Sequence, residues 1–227
     1  MTKVIAWLGG ALFVGSLALT AWWYFIALGQ PAAPDSHFAL LVDALLVTVF
    51  ALHHSAFARD AVKRHLTVVP ALLQRSFYVW LASTLLILTV LLWRPVGGEL
   101  YAIAGPIAFV NAAIQAAGIA LIARAVSGLD PLELAGIRQA SGAKPRDERL
   151  QIAGPYRVVR HPLYLGWMLA LFGAAHMTGD RFAFAALTSA YLVVAVPWEE
   201  RSLRTSFGDD YVRYTARVRW RIVPFIY

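Results

Sequence analysis

Two short polar stretches of the chain carry the residue types that bind ligands or move protons. Arg160, His161 and Tyr164 stand in GPYRVVRHPLYLGW, at the start of an apolar segment. Glu199 and Glu200 end the next apolar segment, in the sequence PWEE. A guanidinium and an imidazole can hold a carboxylate, and two carboxylates can hold an ammonium group or hydroxyls. If the two apolar segments pair as a hairpin, we expect these groups to form one pocket for a zwitterionic ligand that also carries positive charge.

The first stretch also contains glycines and prolines at positions that suit a binding loop. Gly154 and Gly166 would let the main chain approach a ligand closely, and Pro155 and Pro162 would stiffen the loop and the start of the following helix. With Tyr156, they complete the predicted cofactor contacts on this side of the pocket. A second interpretation stays open for the carboxylates, since adjacent glutamates can simply mark the point where a chain enters water.

The composition predicts that these stretches belong to an integral membrane protein. Of the 227 residues, 59% are hydrophobic and 15% are charged, whereas soluble domains contain about 25% charged residues. The eight Trp and nine Tyr residues fit the aromatic belts of membrane interfaces. The chain has no Cys, which excludes disulfides, thiolate metal sites and a cysteine nucleophile. We therefore expect an all-α fold, a polytopic bundle of membrane helices.

Six apolar segments are candidates for membrane helices, because a helix needs about 20 apolar residues to cross a bilayer. They cover approximately residues 4–28, 38–57, 77–93, 104–126, 163–178 and 182–198. The last two are short and are separated only by Gly179, Asp180 and Arg181. This arrangement predicts a helical hairpin, whose segments need not cross the membrane completely.

We expect the six segments to form a single membrane domain over residues 1–227. The connecting segment 127–160 and the amphipathic tail 199–227 should lie on the cytoplasmic side, because cytoplasmic loops are enriched in Lys and Arg. With both termini inside, all of the 20 Lys and Arg residues except Arg94 and Arg181 are cytoplasmic. The formal charge of +7 then reflects topology in a bacterial inner membrane and attraction to anionic lipid. It does not indicate a nucleic-acid partner.

The two polar stretches resemble the paired signatures of a known enzyme superfamily. RHPLYLG, followed after a short hairpin by EERSLRTSFGDDYVRY, is similar to the RHPxYxG and EExxLxxxFGxxYxxY pattern of isoprenylcysteine carboxyl methyltransferases and phospholipid methyltransferases. The resemblance implies a small helical membrane enzyme that binds S-adenosylmethionine in a cytoplasmic-side pocket without a Rossmann domain. It assigns Arg160, His161, Glu199 and Glu200 to that cofactor. The sequence accordingly has no G-x-G-x-x-G motif after a strand pattern, and no strand is expected.

Further stretches narrow the resemblance to one branch of the superfamily. LHHSAFARDAVKR, QRSFYVWLASTLLILTVLLWRP and GIRQ are similar to sequences of methanethiol S-methyltransferases and NnrU-like membrane proteins, which implies methyl transfer to a small thiol. A thiol reacts as its thiolate, so a base or a cation is expected beside it. Counted at about 1.5 Å per residue from the outer end of the second segment, His54 reaches the cytoplasmic side. We expect His54, Arg59 and Glu199 to be the catalytic residues.

Other functions stay open on the sequence alone. The methyl acceptor could be a prenylcysteine carboxylate or a phospholipid amine, and such lipid-borne acceptors need a lateral opening between helices. The six histidines could instead ligate haem or a transition metal, but adjacent histidines on one helix point in different directions and we assign no metal site. A transporter would show repeat symmetry or broken helices, and neither is evident. The sequence does not specify an oligomeric state.

Overall fold

The computed structural model describes residues 2–57, 69–142 and 149–227. Within these residues the chain is mainly helical, and helices α1 to α9 span Thr2–Phe25, Ala39–Phe57, Ala71–Leu92, Pro106–Val126, Pro131–Leu134, Ile137–Ala140, Pro162–Phe172, Gly179–Phe207 and Asp209–Arg217. A small antiparallel sheet consists of strands β1 (Glu99–Ala102) and β2 (His176–Thr178). Short 3₁₀ turns cover Ala27–Gly29 and Gly154–Arg157. The predicted helical membrane fold is confirmed, and the sheet is an unexpected addition to it.

The long helices form because their sequences are apolar almost throughout and a helix satisfies its own backbone hydrogen bonds, as a membrane span must. Within the described residues, four helical stretches are long and apolar enough to cross a bilayer: Thr2–Gly29, Leu72–Leu92, Pro106–Val126 and Gly179–Phe207. The other two predicted spans, 38–57 and 163–178, correspond to the shorter apolar helical stretches Ala39–Ser55 and Pro162–Phe172. Large apolar side chains such as Leu91 and Phe109 are exposed on the helices, which suits surfaces that face lipid.

The chain divides into two compact units. The first comprises Met1–Gly97 and Leu129–Asp147, and the second comprises Gly98–Gly128 and Glu148–Tyr227. In the first unit, α1 lies against α3 at Gly9, where an added Cβ would be 2.8 Å from Nε1 of Trp80. The same indole nitrogen donates a hydrogen bond to the main-chain oxygen of Ile5 at 3.0 Å. The missing side chain of Gly9 thus leaves room for the contact that joins these two helices.

In the second unit, α4 and α7 approach so closely that glycines are required where they cross. A Cβ added at Gly118 would lie 2.4 Å from the main-chain nitrogen of Ala170. One added at Gly166 would lie 2.8 Å from the main-chain oxygen of Gly118. Gln115 of α4 also donates a hydrogen bond to the main-chain oxygen of Ala170 at 2.9 Å. Small residues and interhelical hydrogen bonds of this kind hold helices together in lipid, where burial from water contributes little.

Helices α7 and α8 pair as the expected hairpin, but the predicted helix over 163–178 is wrong at its end. Nε1 of Trp167 donates to Oγ1 of Thr188 at 3.0 Å and joins the two helices. However, α7 stops at Phe172, and residues 176–178 pair with β1 as strand β2. The backbone groups of residues 176–178, beyond the end of α7, therefore form their hydrogen bonds in a sheet. A three-residue strand is too short to produce a recognisable sequence pattern.

The three residues expected to form the hairpin turn are instead the first turn of α8. The side chain of Thr178 accepts a hydrogen bond from the main-chain nitrogen of Arg181 at 3.2 Å and caps the helix. Threonine is a favoured capping residue because its oxygen satisfies a main-chain N–H that has no partner within the helix. The helix therefore begins at Gly179, three residues before the predicted start at 182.

Helix α8 also continues beyond the predicted boundary at 198. It runs to Phe207 with Pro197 inside it, although proline removes one hydrogen bond from a helix. Glu199 and Glu200 consequently lie on a continuous helix and not at the start of a separate tail. Gly208, with φ 51°, ends α8 in a conformation that favours glycine, and α9 follows at once.

The crossing of α4 and α7 generates a stability prediction. Gly118→Ala should lower the free energy of unfolding by about 1–3 kcal/mol, because the new methyl group meets main-chain atoms that cannot move independently. Gly15→Ala is the matched control, since a Cβ added there has nothing within 4 Å, and it should not be destabilising. Thermal unfolding in detergent, followed by tryptophan fluorescence, compares the two variants. Equal unfolding temperatures of the two variants would show that α4 and α7 are not as close at Gly118 as these distances indicate.

Candidate functional site

The carboxylate of Glu200 on α8 is the centre of a largely buried ion cluster. Its Oε1 accepts a hydrogen bond from Nε of Arg160 at 2.7 Å, and its Oε2 accepts one from Nε of Arg221 at 3.3 Å. The side chain of Glu200 is 14% exposed. Buried charges are stable only when they are paired and hydrogen-bonded. One arginine precedes α8 in the sequence and the other follows it, and together they satisfy this requirement.

The imidazole of His161 lies between the two glutamates of α8. Its Nε2 is 3.4 Å from Oε1 of Glu200, and its Nδ1 is 3.6 Å from Oε2 of Glu199. The ring stacks on Tyr164 with 5.2 Å between the ring centroids. The hydroxyl of Tyr164 donates to Oε2 of Glu199 at 2.5 Å. His161 and Tyr164 therefore orient both carboxylates. Pro162 lies at the first helical position and fixes the direction in which α7 leaves the loop.

The C-terminal segment is bound to the residues that precede α7 by main-chain hydrogen bonds. The nitrogen of Arg160 donates to the oxygen of Trp220 at 2.9 Å, and the nitrogen of His161 donates to the oxygen of Arg221 at 2.8 Å. Nη1 of Arg160 adds hydrogen bonds to the oxygens of Val218 and Arg219 at 3.1 and 3.2 Å. These contacts hold Arg221 beside Glu200. Although burial disfavours the charge of Arg221, the carboxylate of Glu200 raises its pKa.

Tyr211 and Tyr214 of α9 lie near the cluster, and only one of their hydroxyls has a hydrogen-bond partner among the described residues. The hydroxyl of Tyr214 donates to the main-chain oxygen of Tyr156 at 2.8 Å. The hydroxyl of Tyr211 is buried and has no hydrogen-bond partner within the described part of the chain. Burial and the nearby carboxylate of Glu200 raise the pKa of Tyr211, so the phenol stays protonated and can donate. A buried hydroxyl without a partner costs free energy, which is a reason to expect a ligand there.

Glu199 offers a second open hydrogen-bonding position. Its side chain is 43% exposed, and only Oε2 is engaged, by Tyr164 and His161. No described residue contacts its Oε1 within hydrogen-bond distance. The cluster thus combines a free carboxylate oxygen, a free phenol hydroxyl and the partly exposed guanidinium of Arg221. This set can bind an ammonium group, a hydroxyl and a carboxylate at the same time.

The structure brings together the polar residues that the sequence placed at the two ends of the hairpin: Arg160, His161, Tyr164, Glu199 and Glu200. Gly154, Pro155 and Tyr156 form the 3₁₀ turn just before them. Gly154 has φ +62°, a conformation that itself favours glycine. Gly166 is accounted for by the packing of α7 on α4. Contact of these residues with a cofactor stays a prediction.

The predicted acceptor-side histidine, His54, belongs to the first unit. Nδ1 of His54 lies 2.7 Å from the hydroxyl of Tyr78, and the imidazole stacks on Phe50 with 5.9 Å between the centroids. Arg75 lies over the ring of Tyr78 at 4.9 Å. The ring of His54 is thus held in a fixed orientation on α2. Arg59 lies outside the described residues.

Sequence reasoning did not assign Tyr211, Tyr214 or Arg221 to the site. The two tyrosines are part of the FGxxYxxY signature, but their helical spacing also fits a simple amphipathic stripe. The signature itself was therefore the signal that could have identified them. Arg221 gave no local signal, because its position depends on main-chain pairing with a segment 60 residues earlier in the chain.

Comparisons with known proteins agree with this geometry. The family model described as phospholipid methyltransferase matches residues 135–210, which include both polar ends of the hairpin. Methanethiol S-methyltransferase 2 of Bradyrhizobium diazoefficiens is 35% identical over 79% of this chain and 71% of its own length. Methanethiol S-methyltransferase of Mycobacterium tuberculosis is 36% identical over 82% of this chain and 79% of its own length. The chain belongs to the methanethiol S-methyltransferase family.

The chain is also similar, over a shorter region, to a protein named as an isoprenylcysteine methyltransferase. Protein-S-isoprenylcysteine O-methyltransferase B of Arabidopsis thaliana is 33% identical over 34% of this chain and 41% of its own length. No solved structure matches the chain. The shared superfamily and the branch expected from the sequence are confirmed, and the protein is a membrane methyltransferase.

The different surroundings of the two glutamates generate a stability prediction. Glu200→Ala should lower the free energy of unfolding by about 3–5 kcal/mol, because it leaves two arginines in a largely buried site without their carboxylate. Glu199→Ala is the matched control on the same helix and should cost about 1 kcal/mol or less. Chemical unfolding in detergent micelles measures both. Similar losses in the two variants would contradict the role of Glu200 as the centre of the cluster.

Proposed function

We propose that the protein is an integral membrane S-methyltransferase that transfers the methyl group of S-adenosylmethionine to a small thiol such as methanethiol. The observation that carries this proposal is the similarity to proteins named methanethiol S-methyltransferase over 79–82% of the chain. The ion cluster at the ends of α7 and α8 supports it. On the distribution of Lys and Arg, the cluster and both termini would lie on the cytoplasmic side of a bacterial inner membrane.

The residues of the cluster fit S-adenosylmethionine. The hydroxyl of Tyr211 has no partner among the described residues and would donate to a ribose hydroxyl or another acceptor of the cofactor. Oε1 of Glu199 would accept from the ammonium group. The side chain of Arg221 is 36% exposed, and its guanidinium, which already donates to Glu200 and Tyr227, would hold the carboxylate through its remaining N–H groups. These three groups match the three polar parts of the amino-acid and ribose portions.

We propose a different role for one residue of the sequence-based hypothesis. Arg160 was expected to hold the carboxylate of the ligand. Its guanidinium already donates to Glu200 and to two main-chain oxygens. We therefore infer that Arg160 and Glu200 are positioning residues, which fix the C-terminal segment and α8 so that Arg221, Glu199 and Tyr211 converge.

The remaining chemistry requires alignment more than it requires new functional groups. When bound, S-adenosylmethionine supplies an electrophilic methyl group on a sulfonium sulfur. Its transfer forms a bond between the methyl carbon and the thiolate sulfur, breaks the bond between that carbon and the sulfonium sulfur, and leaves S-adenosylhomocysteine. Tyr164 and His161 hold the carboxylate of Glu199 in one orientation. Such fixed contacts favour the in-line geometry from which a large part of the acceleration comes.

For the acceptor we propose His54 and Arg59 as the groups that favour the thiolate. A base or a cation near a thiol increases the fraction that is deprotonated, and the thiol proton would pass to His54. The contact between His54 and Tyr78 supports this proposal because it holds the imidazole in a defined orientation. Glu199 is the third catalytic candidate, because its free oxygen Oε1 is one of the proposed cofactor contacts.

The other acceptors and the metal hypothesis have weaker support. The similarity to a prenylcysteine methyltransferase covers 34% of this chain, whereas the relatives named for methanethiol cover more than twice that share. In the described ranges, no three His, Cys, Asp or Glu side chains are grouped as metal ligands. A thiol acceptor is therefore favoured over a carboxylate, a phospholipid amine or a haem-binding role.

Calorimetric titration of the detergent-purified protein with S-adenosylmethionine and S-adenosylhomocysteine tests the cofactor proposal. Tyr211→Phe should weaken binding about tenfold, because it removes one hydrogen bond to the cofactor, while the folded protein loses no internal contact. Tyr214→Phe is the matched control, since it removes the hydrogen bond to Tyr156 and should lower stability without changing affinity.

Two outcomes would contradict the proposal. Absence of saturable binding by the folded wild-type protein would contradict the proposal that S-adenosylmethionine is the cofactor. Equal affinities of the wild-type protein and Tyr211→Phe would leave cofactor binding intact but would withdraw the assigned role of this hydroxyl.

A further inference from the structure

A cavity in the second unit lies beside the ion cluster, and its lining differs from the residues of the cluster. It has a volume of about 340 Å³ and is lined by three arginines, Arg157, Arg217 and Arg219, and by apolar residues that include Trp220 and Phe225. None of the three guanidinium groups is bonded to the carboxylate of Glu200. The cavity therefore presents a cationic side and an apolar side next to each other, and neither is used by the proposed reaction.

The three arginines have no carboxylate partner among the described residues. In contrast, Arg160, Arg221 and Arg213 are each paired with a glutamate or an aspartate. Three like charges around one cavity repel one another unless an anion lies between them. Guanidinium groups in such an arrangement are well suited to bind a phosphate, because each can donate two parallel hydrogen bonds.

The apolar side of the cavity continues into an exposed tip formed by Phe225 and Ile226. Their side chains are 84% and 79% exposed. Phe225 has φ 65°, a left-handed conformation that is unfavourable for a bulky residue. The main-chain oxygen of Tyr227 accepts hydrogen bonds from the nitrogens of residues 221, 222 and 223, and Ile222 beneath it is fully buried. The fold thus holds two large apolar side chains outward on a well-anchored turn.

The cavity lies close to the point where the chain enters an apolar helix. The main-chain bonds of Arg160 and His161 to Trp220 and Arg221 fix the C-terminal segment next to the start of α7. Helix α7 is one of the apolar helices and begins at Pro162. A basic and aromatic surface at such a point is typical of the headgroup region of a membrane.

We propose that this cavity binds the phosphate of an anionic phospholipid headgroup through Arg157, Arg217 and Arg219, while Phe225 and Ile226 insert among the neighbouring acyl chains. Charge complementarity selects the anionic headgroup, and the exposed tip selects a ligand with acyl chains over a free anion. The site is independent of the proposed methyl transfer. It would anchor the C-terminal segment, and with it Arg221, at the membrane surface.

Native mass spectrometry of the delipidated full chain in neutral detergent tests the site, with phosphatidylglycerol and phosphatidylcholine as probes. The wild-type protein should retain phosphatidylglycerol selectively. The triple variant Arg157→Gln, Arg217→Gln, Arg219→Gln should bind it about 100-fold more weakly, since each arginine near an anionic surface contributes about fivefold. The triple variant Arg201→Gln, Arg204→Gln, Arg213→Gln removes the same charge from exposed positions outside the cavity and should change affinity less than fivefold.

A second pair of measurements separates the lipid from a free anion. Phe225→Ser with Ile226→Ser should weaken binding of phosphatidylglycerol and leave binding of inorganic phosphate unchanged. Equal losses in the two arginine triple variants, or equal retention of the two lipids, would overturn the proposal. Displacement of the lipid by an equal concentration of inorganic phosphate would identify a free-anion site instead. If the triple variant does not fold, the single variants Arg157→Gln and Arg219→Gln should each show about a fivefold loss.

Discussion

The largely buried ion pair between Arg160 and Glu200 is the interaction on which the candidate site depends. It joins the loop before α7 to α8, and the same guanidinium binds the main chain of the C-terminal segment. Three parts of the sequence are thereby fixed to one another. Because a buried charge without its partner is costly, the pair permits few alternative arrangements of Glu199, His161 and Arg221 around it.

Membrane helices make such a cluster possible and also confine it to one place. The apolar stretches of α7 and α8 satisfy their own backbone groups and cannot contribute charged side chains along their length without a large cost. The polar ends of the hairpin are therefore where the second unit can collect ionisable residues. Gly118 and Gly166 support this arrangement from a distance, because they let α4 hold α7 at the correct position.

Much of this could be predicted from the sequence, for identifiable physical reasons. Long apolar segments indicated the membrane helices, and the paired signatures indicated that Arg160 and His161 would meet Glu199 and Glu200. Strand β2 and the extension of α8 through Pro197 could not be predicted, because they depend on pairing with β1 and on packing within the second unit. The role of Arg221 was hidden for the same reason, since its neighbours in space are distant in sequence. Sequence reasoning therefore brought together the residues at the two ends of the hairpin but not the residues that α9 and the C-terminal segment add to them.

Methyl transfer to a thiol by the purified protein is the measurement that decides between the possible methyl acceptors. The protein in detergent is supplied with S-adenosylmethionine that carries a trideuterated methyl group and with methanethiol, and the headspace is analysed by gas chromatography and mass spectrometry. A small-thiol S-methyltransferase should form trideuterated dimethyl sulfide in proportion to the amount of protein, and heat denaturation should abolish this product. A folded protein that binds S-adenosylmethionine and methylates a prenylcysteine or phosphatidylethanolamine, but no small thiol, would contradict the proposed function.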